Sequence, residues 1–298
     1  MKSEEENSSP EIRFSVVVPC HNAAGYITRC LSYLAKQTYG LEKVEVVFVD
    51  DGSTDGSGDI AERYGAEIPH FTFVKNPKPT GPGGARNARV AKATGEYLFF
   101  VDVDDYTPEK SLELIDKAIG GDAEKSPDVV LYPYLVIRPE SSKKPKGLLD
   151  PPAKTIQEAA FSAVGPWSAV FKRKLFVPFP PFTLSEDTAW HFLQFDRFET
   201  FARVGEKEPC YAYDRMNATA ITDTVEWAGE HSHTMEQLAM EDAAIRAGKN
   251  DQWISDVIRN YANMYDARRR ITKPWVKAAW AKRFRDETAN IMTGHFVH

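Results

Sequence analysis

At 298 residues, 42% hydrophobic and 27% charged, the chain has ordinary globular composition and room for one large domain or a domain with an appendage. Its net charge of -6 argues against a general nucleic-acid binder, which carries a basic surplus, so no nucleic-acid partner is expected. No apolar run approaches the ~18–20 residues needed to span a bilayer. The three cysteines, Cys20, Cys30 and Cys210, lack metal-type clustering and cannot all pair; they read as free thiols of a reducing compartment, most simply the cytoplasm.

Residues 1–11 are polar and acidic at their start (MKSEEENSSP), which predicts a disordered leader rather than a signal peptide. Arg13 to Val18 (RFSVVV) is a β-branched run expected to be a buried strand ended by Pro19. Ile27, Leu31 and Leu34 recur at helical spacing, predicting a helix from Gly25 to about Gln37. Val44 to Val49 (VEVVFV) reads as a second buried strand, followed by the turn-rich Asp50-Asp51-Gly52-Ser53-Thr54-Asp55. A helix over Gly56 to Tyr64 and a strand near Phe71 to Lys75 come next. Proline and glycine punctuate Asn76 to Gly84 (NPKPTGPGG), so a loop is expected there, then an alanine-rich helix from Ala85 to Ala93. Tyr97 to Val101 (YLFFV) is a fourth strand, ending in Asp102-Val103-Asp104-Asp105.

Apolar strands alternating with helices predict an α/β fold with a mostly parallel central sheet flanked by helices. Ligands of such sheets sit outside the carboxyl ends of the strands. Two strands end in aspartates, so two acidic loops should share one sheet edge. Beyond a proline- and lysine-rich connector (Ser141 to Lys154), aromatic segments precede a helix from Asp187 to Phe195, and helices are expected from about Glu226 onward.

The carboxylates after the fourth strand are hard oxygen ligands suited to Mg2+ or Mn2+. Alone, such a turn reads equally as solvated, although adjacent aspartates repel unless a cation or donors compensate. Asp50 and Asp51 could receive a base or ribose, whereas Asp55 suits a helix cap. Gly83-Gly84-Ala85-Arg86-Asn87 suits either a phosphate contact or a helix start; it is neither a Walker loop nor a dinucleotide fingerprint.

Taken together, these segments resemble family 2 of the inverting glycosyltransferases, which have the GT-A fold. The resemblance rests on Val16-Val17-Val18-Pro19-Cys20-His21-Asn22, Val49-Asp50-Asp51-Gly52-Ser53-Thr54-Asp55, Gly83-Gly84-Ala85-Arg86-Asn87 and Gly95 through Asp105, in the family's order and approximate spacing. It continues more loosely through Trp167 to Arg173, Ser185-Glu186-Asp187 and Tyr211 to Thr222, with Asp214 where arginine is usual. It implies a GT-A catalytic domain over 12–222, with a nucleotide-binding half at 12–135 and an acceptor half at 155–222, then a helical C-terminal region over 223–298.

The same resemblance implies donor-nucleotide contacts from Pro19, Asp50, Asp51, Arg86 and Asp104. It implies Mn2+ or Mg2+ at Asp102, Asp104 and Asp105, a catalytic base at Asp187, and acceptor or lid roles for Trp167, Glu186, His191 and Arg215. Arg215 would replace the missing arginine at 214. The expected reaction moves a sugar from a nucleotide-sugar, UDP leading, to a hydroxyl of a glycan or lipid-linked acceptor in polysaccharide or glycoconjugate biosynthesis. An aspartate is a weak base, with an ordinary pKa near about 3.9, so Asp187 would act by position. Its plainer role is the favoured acid of a helix start.

A non-catalytic nucleotide- or sugar-binding homologue and a sugar-nucleotide-forming nucleotidyltransferase are the alternatives. The second would carry its glycine-rich loop after the first strand, where Pro19-Cys20-His21-Asn22 stands. His231 and His233 read as surface helix residues. The basic, aromatic stretch from Arg268 to Arg285 suits either peripheral contact with the inner membrane face or packing on protein.

Overall fold

The computed structural model describes residues 12–122, 124–140, 146–150, 152–156, 158–159, 163, 165–179, 186–205, 207–216 and 272–274. The leader, the histidine pair at 231 and 233, and nearly all of the expected helical C-terminal region lie outside these residues.

Strands β1 (Phe14–Cys20), β2 (Val44–Asp50), β3 (His70–Lys75) and β4 (Tyr97–Phe100) alternate with helices α1 (Ala24–Ala35), α2 (Ser57–Gly65) and α3 (Gly81–Val90). After α4 (Ser111–Ile119) the elements become shorter: β5 (Val129–Leu131), β6 (Tyr134–Ile137), β7 (Gly147–Leu149), β8 (Ala169–Lys172), α5 (Glu186–Phe195), β9 (Phe201–Arg203) and β10 (Tyr211–Asp214). Seven strands form the central sheet in the order β3-β2-β1-β4-β8-β5-β9, and β10-β6-β7 form a second, three-stranded sheet. β1 pairs in parallel with both β2 and β4, and only β8 enters the large sheet antiparallel to its neighbours.

The sheet is covered on both faces because successive residues of its central strands point to opposite sides. Val16, Val18, Phe48 and Phe99 meet Ile27 and Leu31 of α1, Ala61 of α2 and Ile115 of α4 on one face. Val17, Leu98 and Phe100 meet Val90 of α3 and Trp190 and Phe195 of α5 on the other. Every residue of β2 and β4 is buried, including the charged Glu45 and Asp50 of β2.

Among the boundaries that differ from expectation are the end of β1 and the start of α3. β1 runs through Pro19 instead of stopping before it. Val17 accepts the Val101 amide, so Pro19, two residues on, turns its missing donor toward the β4 side, beyond the last β1–β4 pair at Val17 and Phe100. A proline costs no ladder bond there. α3 begins at Gly81 rather than Ala85, absorbing the glycines assigned to the loop. Proline is tolerated in a helix's first turn, and Gly84 lets that turn lie on Thr80, where a Cβ would stand 2.8 Å from Thr80 Cβ.

Candidate active site

β2 and β4 lie on either side of β1 and run parallel to it, so their carboxyl ends deliver both acidic loops to one sheet edge. The turn after β2 is tied to the turn after β1. Asn22, at φ 49°, accepts the Thr54 amide on Oδ1 at 2.9 Å, and Asp55 accepts the Ala24 amide at 3.0 Å and the Ser57 amide at 3.0 Å. The capping role expected of Asp55 therefore serves the starts of both α1 and α2.

Asp50 is fully buried, and one oxygen accepts the Ser53 amide at 2.8 Å while the other lies 3.8 Å from Lys75 Nζ. Its carboxylate holds the turn that carries Asp51. Asp51 is also buried; it accepts from Asn76 Nδ2 at 2.6 Å, the Thr80 amide at 2.8 Å and Thr80 Oγ1 at 2.9 Å. These bonds join the β2 edge to the start of α3. Pro19 lies beside them at the end of β1, opposite Val49.

One and a half turns into α3, Arg86 is buried and donates to Asp102 Oδ1 at 2.8 Å. Its guanidinium lies 5.3 Å from the ring centre of Phe179, which in turn stacks on Trp190 of α5 at 4.4 Å and 8°. Trp190 also meets Phe100, the last residue of β4, edge-on at 5.9 Å. Asp187 sits one helical turn before Trp190 on α5, half-buried, and Glu186 is the first residue of that helix. A stack of aromatic rings thus links α5, at Trp190, to Arg86 and through it to Asp102, while Asn87 exchanges hydrogen bonds with the Phe179 backbone at 2.7 and 2.8 Å.

The three aspartates of the loop differ in environment. Burial and the neighbouring Asp102 charge push the Asp104 carboxyl up to about 6. Burial, then Asp104 and Asp102, raise Asp105 well above the usual carboxylate range, against the opposing pull of Tyr211 and Asp214 donors. Asp105 accepts Tyr211 O–H at 2.7 Å and the Asp214 amide at 2.8 Å, one on each oxygen, and Tyr211 in turn accepts the Asp102 amide at 3.1 Å. Asp105, expected among the metal ligands, has both oxygens turned to β10, where it braces the loop.

Among the described residues, no group of three or more His, Cys, Asp or Glu side chains could close around a metal ion. Asp102 and Asp104 nonetheless fit a divalent cation. They are hard oxygen donors, the crowding at Asp104 is only partly offset by Arg215 and Arg29, and Mg2+-type sites take one or two carboxylates and complete their shell from water and substrate phosphates.

Trp167 is buried between Tyr211 at 4.8 Å and Tyr213 at 4.7 Å, with Tyr134 edge-on at 5.1 Å. It is a packing platform behind the loop. His191 is likewise buried, its ring 4.6 Å from that of Phe195. Arg215 lies over the Tyr213 ring at 5.2 Å and is one of the cations that stabilise the Asp104 carboxylate. Sequence reasoning missed Asn76, Thr80 and Phe179, whose neighbours in the chain hint at no role, and Tyr211, which reaches Asp105 across 106 residues.

Residues 15–164 match Glycosyl transferase family 2, half of the chain, and the chain belongs to that family. It is 35% identical over 120 residues to "Glycosyltransferase GlyG" of Streptococcus pneumoniae serotype 4, covering 40% of this chain and 38% of that protein. It is 40% identical over 102 residues to "Poly(ribitol-phosphate) beta-N-acetylglucosaminyltransferase TarS" of Staphylococcus aureus, covering 34% of this chain and 18% of TarS. The alignments thus span well under half the length of these curated relatives.

The crystal structure of S. aureus TarS 1-349 with UDP-GlcNAc superposes over 95% of this chain and 92% of that one, with a TM-score of 0.61 and 18% identity. The mannosyltransferase PcManGT from Pyrobaculum calidifontis, with GDP-Man and Mn2+, covers 95% of this chain and 79% of that one, with a TM-score of 0.50 and 21% identity. The fold is GT-A, and the chain is a glycosyltransferase by family.

Proposed function

We propose that this glycosyltransferase is inverting and metal-dependent, moving a hexose-type sugar from a UDP-sugar to a hydroxyl of a glycan or lipid-linked acceptor in polysaccharide or glycoconjugate assembly. The observation that carries the reading is the connected path Asp102–Arg86–Phe179–Trp190, which ties the acidic edge to the helix that begins Glu186-Asp187. UDP-GlcNAc in the TarS complex supports a UDP donor, and GDP-Man with Mn2+ in the PcManGT complex supports a divalent ion. The β-linkage in the name of TarS supports inversion, since direct displacement on an α-linked donor yields a β-glycoside.

In this reading Pro19 and Asp51 border the nucleoside pocket, and Asp50 fixes the turn beneath it. Asp102 and Asp104 would hold Mn2+ or Mg2+, whose chemistry there is to neutralise charge on the diphosphate. Arg86 orients Asp102 through their hydrogen bond, and Arg215 adds positive charge at the same edge. Asp187 takes the proton of the acceptor hydroxyl as that oxygen bonds to the anomeric carbon. The bond from that carbon to the diphosphate oxygen breaks on the opposite side, and the nucleoside diphosphate leaves. A cytoplasmic setting accords with three buried cysteines that form no disulfide.

A donor screen that reports released nucleoside diphosphate, followed by a glycan acceptor array, tests this reading. Release from one or more UDP-sugars and tighter UDP binding with Mn2+ are expected. Nucleotide binding indifferent to metal, or absent, would overturn it.

A further inference from the structure

Asp214 stands where the family resemblance leads one to expect arginine, and its side chain has a different task. It accepts Arg29 Nη1 at 2.6 Å, with Asp214 only 11% exposed, while Arg29 Nη2 donates to the Asp104 carbonyl. The Asp214 amide donates to Asp105 Oδ1 at 2.8 Å, and Tyr106 and Ala212 exchange amide–carbonyl bonds at 3.3 and 2.8 Å. Arg29 also lies 5.1 Å from the Tyr106 ring centre. One guanidinium from α1 therefore holds both the acidic loop and the end of β10, the strand that leads directly into Arg215.

We infer that Arg29 and Asp214 are positioning residues that clamp the Asp102–Asp105 loop to β10 and fix the backbone of Asp104 for divalent-cation binding. The inference rests on the metal role proposed above for Asp104. A guanidinium suits the task because its planar fork reaches two acceptors at once, which a lysine ammonium on a flexible stem does not reproduce. Neither residue needs to touch donor or acceptor; each acts by limiting where the Asp104 carboxylate can point. A released loop would have to be ordered again each time a cation binds, so the loss should fall on metal affinity rather than on the nucleoside pocket.

The test titrates Mn2+ into the full-length protein with UDP present, by electron paramagnetic resonance of the free ion, alongside UDP affinity in EDTA and thermal melting. Asp214→Asn and Arg29→Gln are each expected to weaken Mn2+ binding by on the order of tenfold while metal-free UDP affinity changes by less than about twofold. Arg29→Lys should recover part of the loss, and the double variant should bind no more weakly than the weaker single one, since both break the same clamp. Folded variants with wild-type Mn2+ affinity would overturn the inference, as would equal losses of metal and metal-free UDP binding. If one variant fails to melt cooperatively, Arg29→Lys decides. Wild-type protein that takes up no Mn2+ would remove the metal reading and the clamp together, whereas metal binding that the variants leave unchanged removes the clamp alone.

Discussion

Arg86 donates to Asp102 across 2.8 Å while its guanidinium covers the face of Phe179, so one side chain joins the acidic edge of the sheet to the aromatic stack under α5. The pair is shielded, with the two side chains 7% and 26% exposed, so loss of the cation leaves a carboxylate poorly compensated.

Arg86→Ala should therefore lower kcat/KM for nucleoside diphosphate release by about 100-fold, with Arg86→Lys recovering only part, because lysine cannot pair and stack in the same geometry. Steady-state assays on the best donor from the screen check this. Unchanged kinetics in Arg86→Ala would detach Asp102 from the chemistry.

Asp187→Asn removes the proposed proton acceptor without changing the size of the side chain. A drop in kcat of about 100-fold to 10,000-fold is expected, with UDP affinity preserved, since positioned general bases contribute on that scale. Calorimetry of UDP beside initial rates separates the two effects, and a variant that turns over normally would leave Asp187 as a helix-start residue only.

Gly84 and Gly95 predict contrasting defects. An alanine Cβ at 84 would stand 2.9 Å from Thr80 Oγ1, pushing α3 off the residue that donates to Asp51. Gly84→Ala should cost about 1–3 kcal/mol of stability and weaken UDP binding as well. At Gly95 the same atom would meet Ser15 Oγ at 2.6 Å and the Ser15 backbone N at 2.7 Å, below β4 and away from the acidic edge. Gly95→Ala should lower the melting temperature while the folded fraction keeps its UDP affinity. Thermal melts paired with calorimetry distinguish the two.

Asp128 supplies a pH dependence unconnected with catalysis. Burial pushes its carboxyl up, but the amides of Glu199 and Thr200, at 2.9 and 3.1 Å, and Lys172 outweigh that and hold it below the ordinary value. A depressed carboxyl contributes stability above its unfolded pKa of about 3.9 and loses it as pH falls through the lower folded value. Asp128→Asn should flatten the acid limb of a melting-temperature profile below about pH 4 and lower the melting temperature near neutrality. A variant profile that runs parallel to wild type would contradict this.

Legibility in the sequence followed the range of the forces involved. From β1 to β4, strand and helix periods were local and strong, so most elements appeared within a few residues of their observed limits, whereas α4 was not read. The misreading at 81–84 arose where a local breaker signal met tertiary packing: glycine weakens a helix in isolation, yet Gly84 is what lets α3 close on Thr80. The three- and four-residue strands after α4 carry too little periodicity to be read, and β8 takes its place between β4 and β5 only through pairing with both.

By itself the sequence determined the α/β class, the family, and the delivery of Asp50, Asp51 and Asp102–Asp105 to one edge, because strand hydrophobicity and the residues that end each strand are local properties. Only the tertiary structure decided which aspartate does what. Asp105 turns inward to Tyr211, Asp102 meets Arg86, and Asp214 answers Arg29 from 185 positions away, contacts that exist only after distant strands have paired. Burial and donor geometry set a carboxylate's role, and neither is encoded in its immediate neighbours.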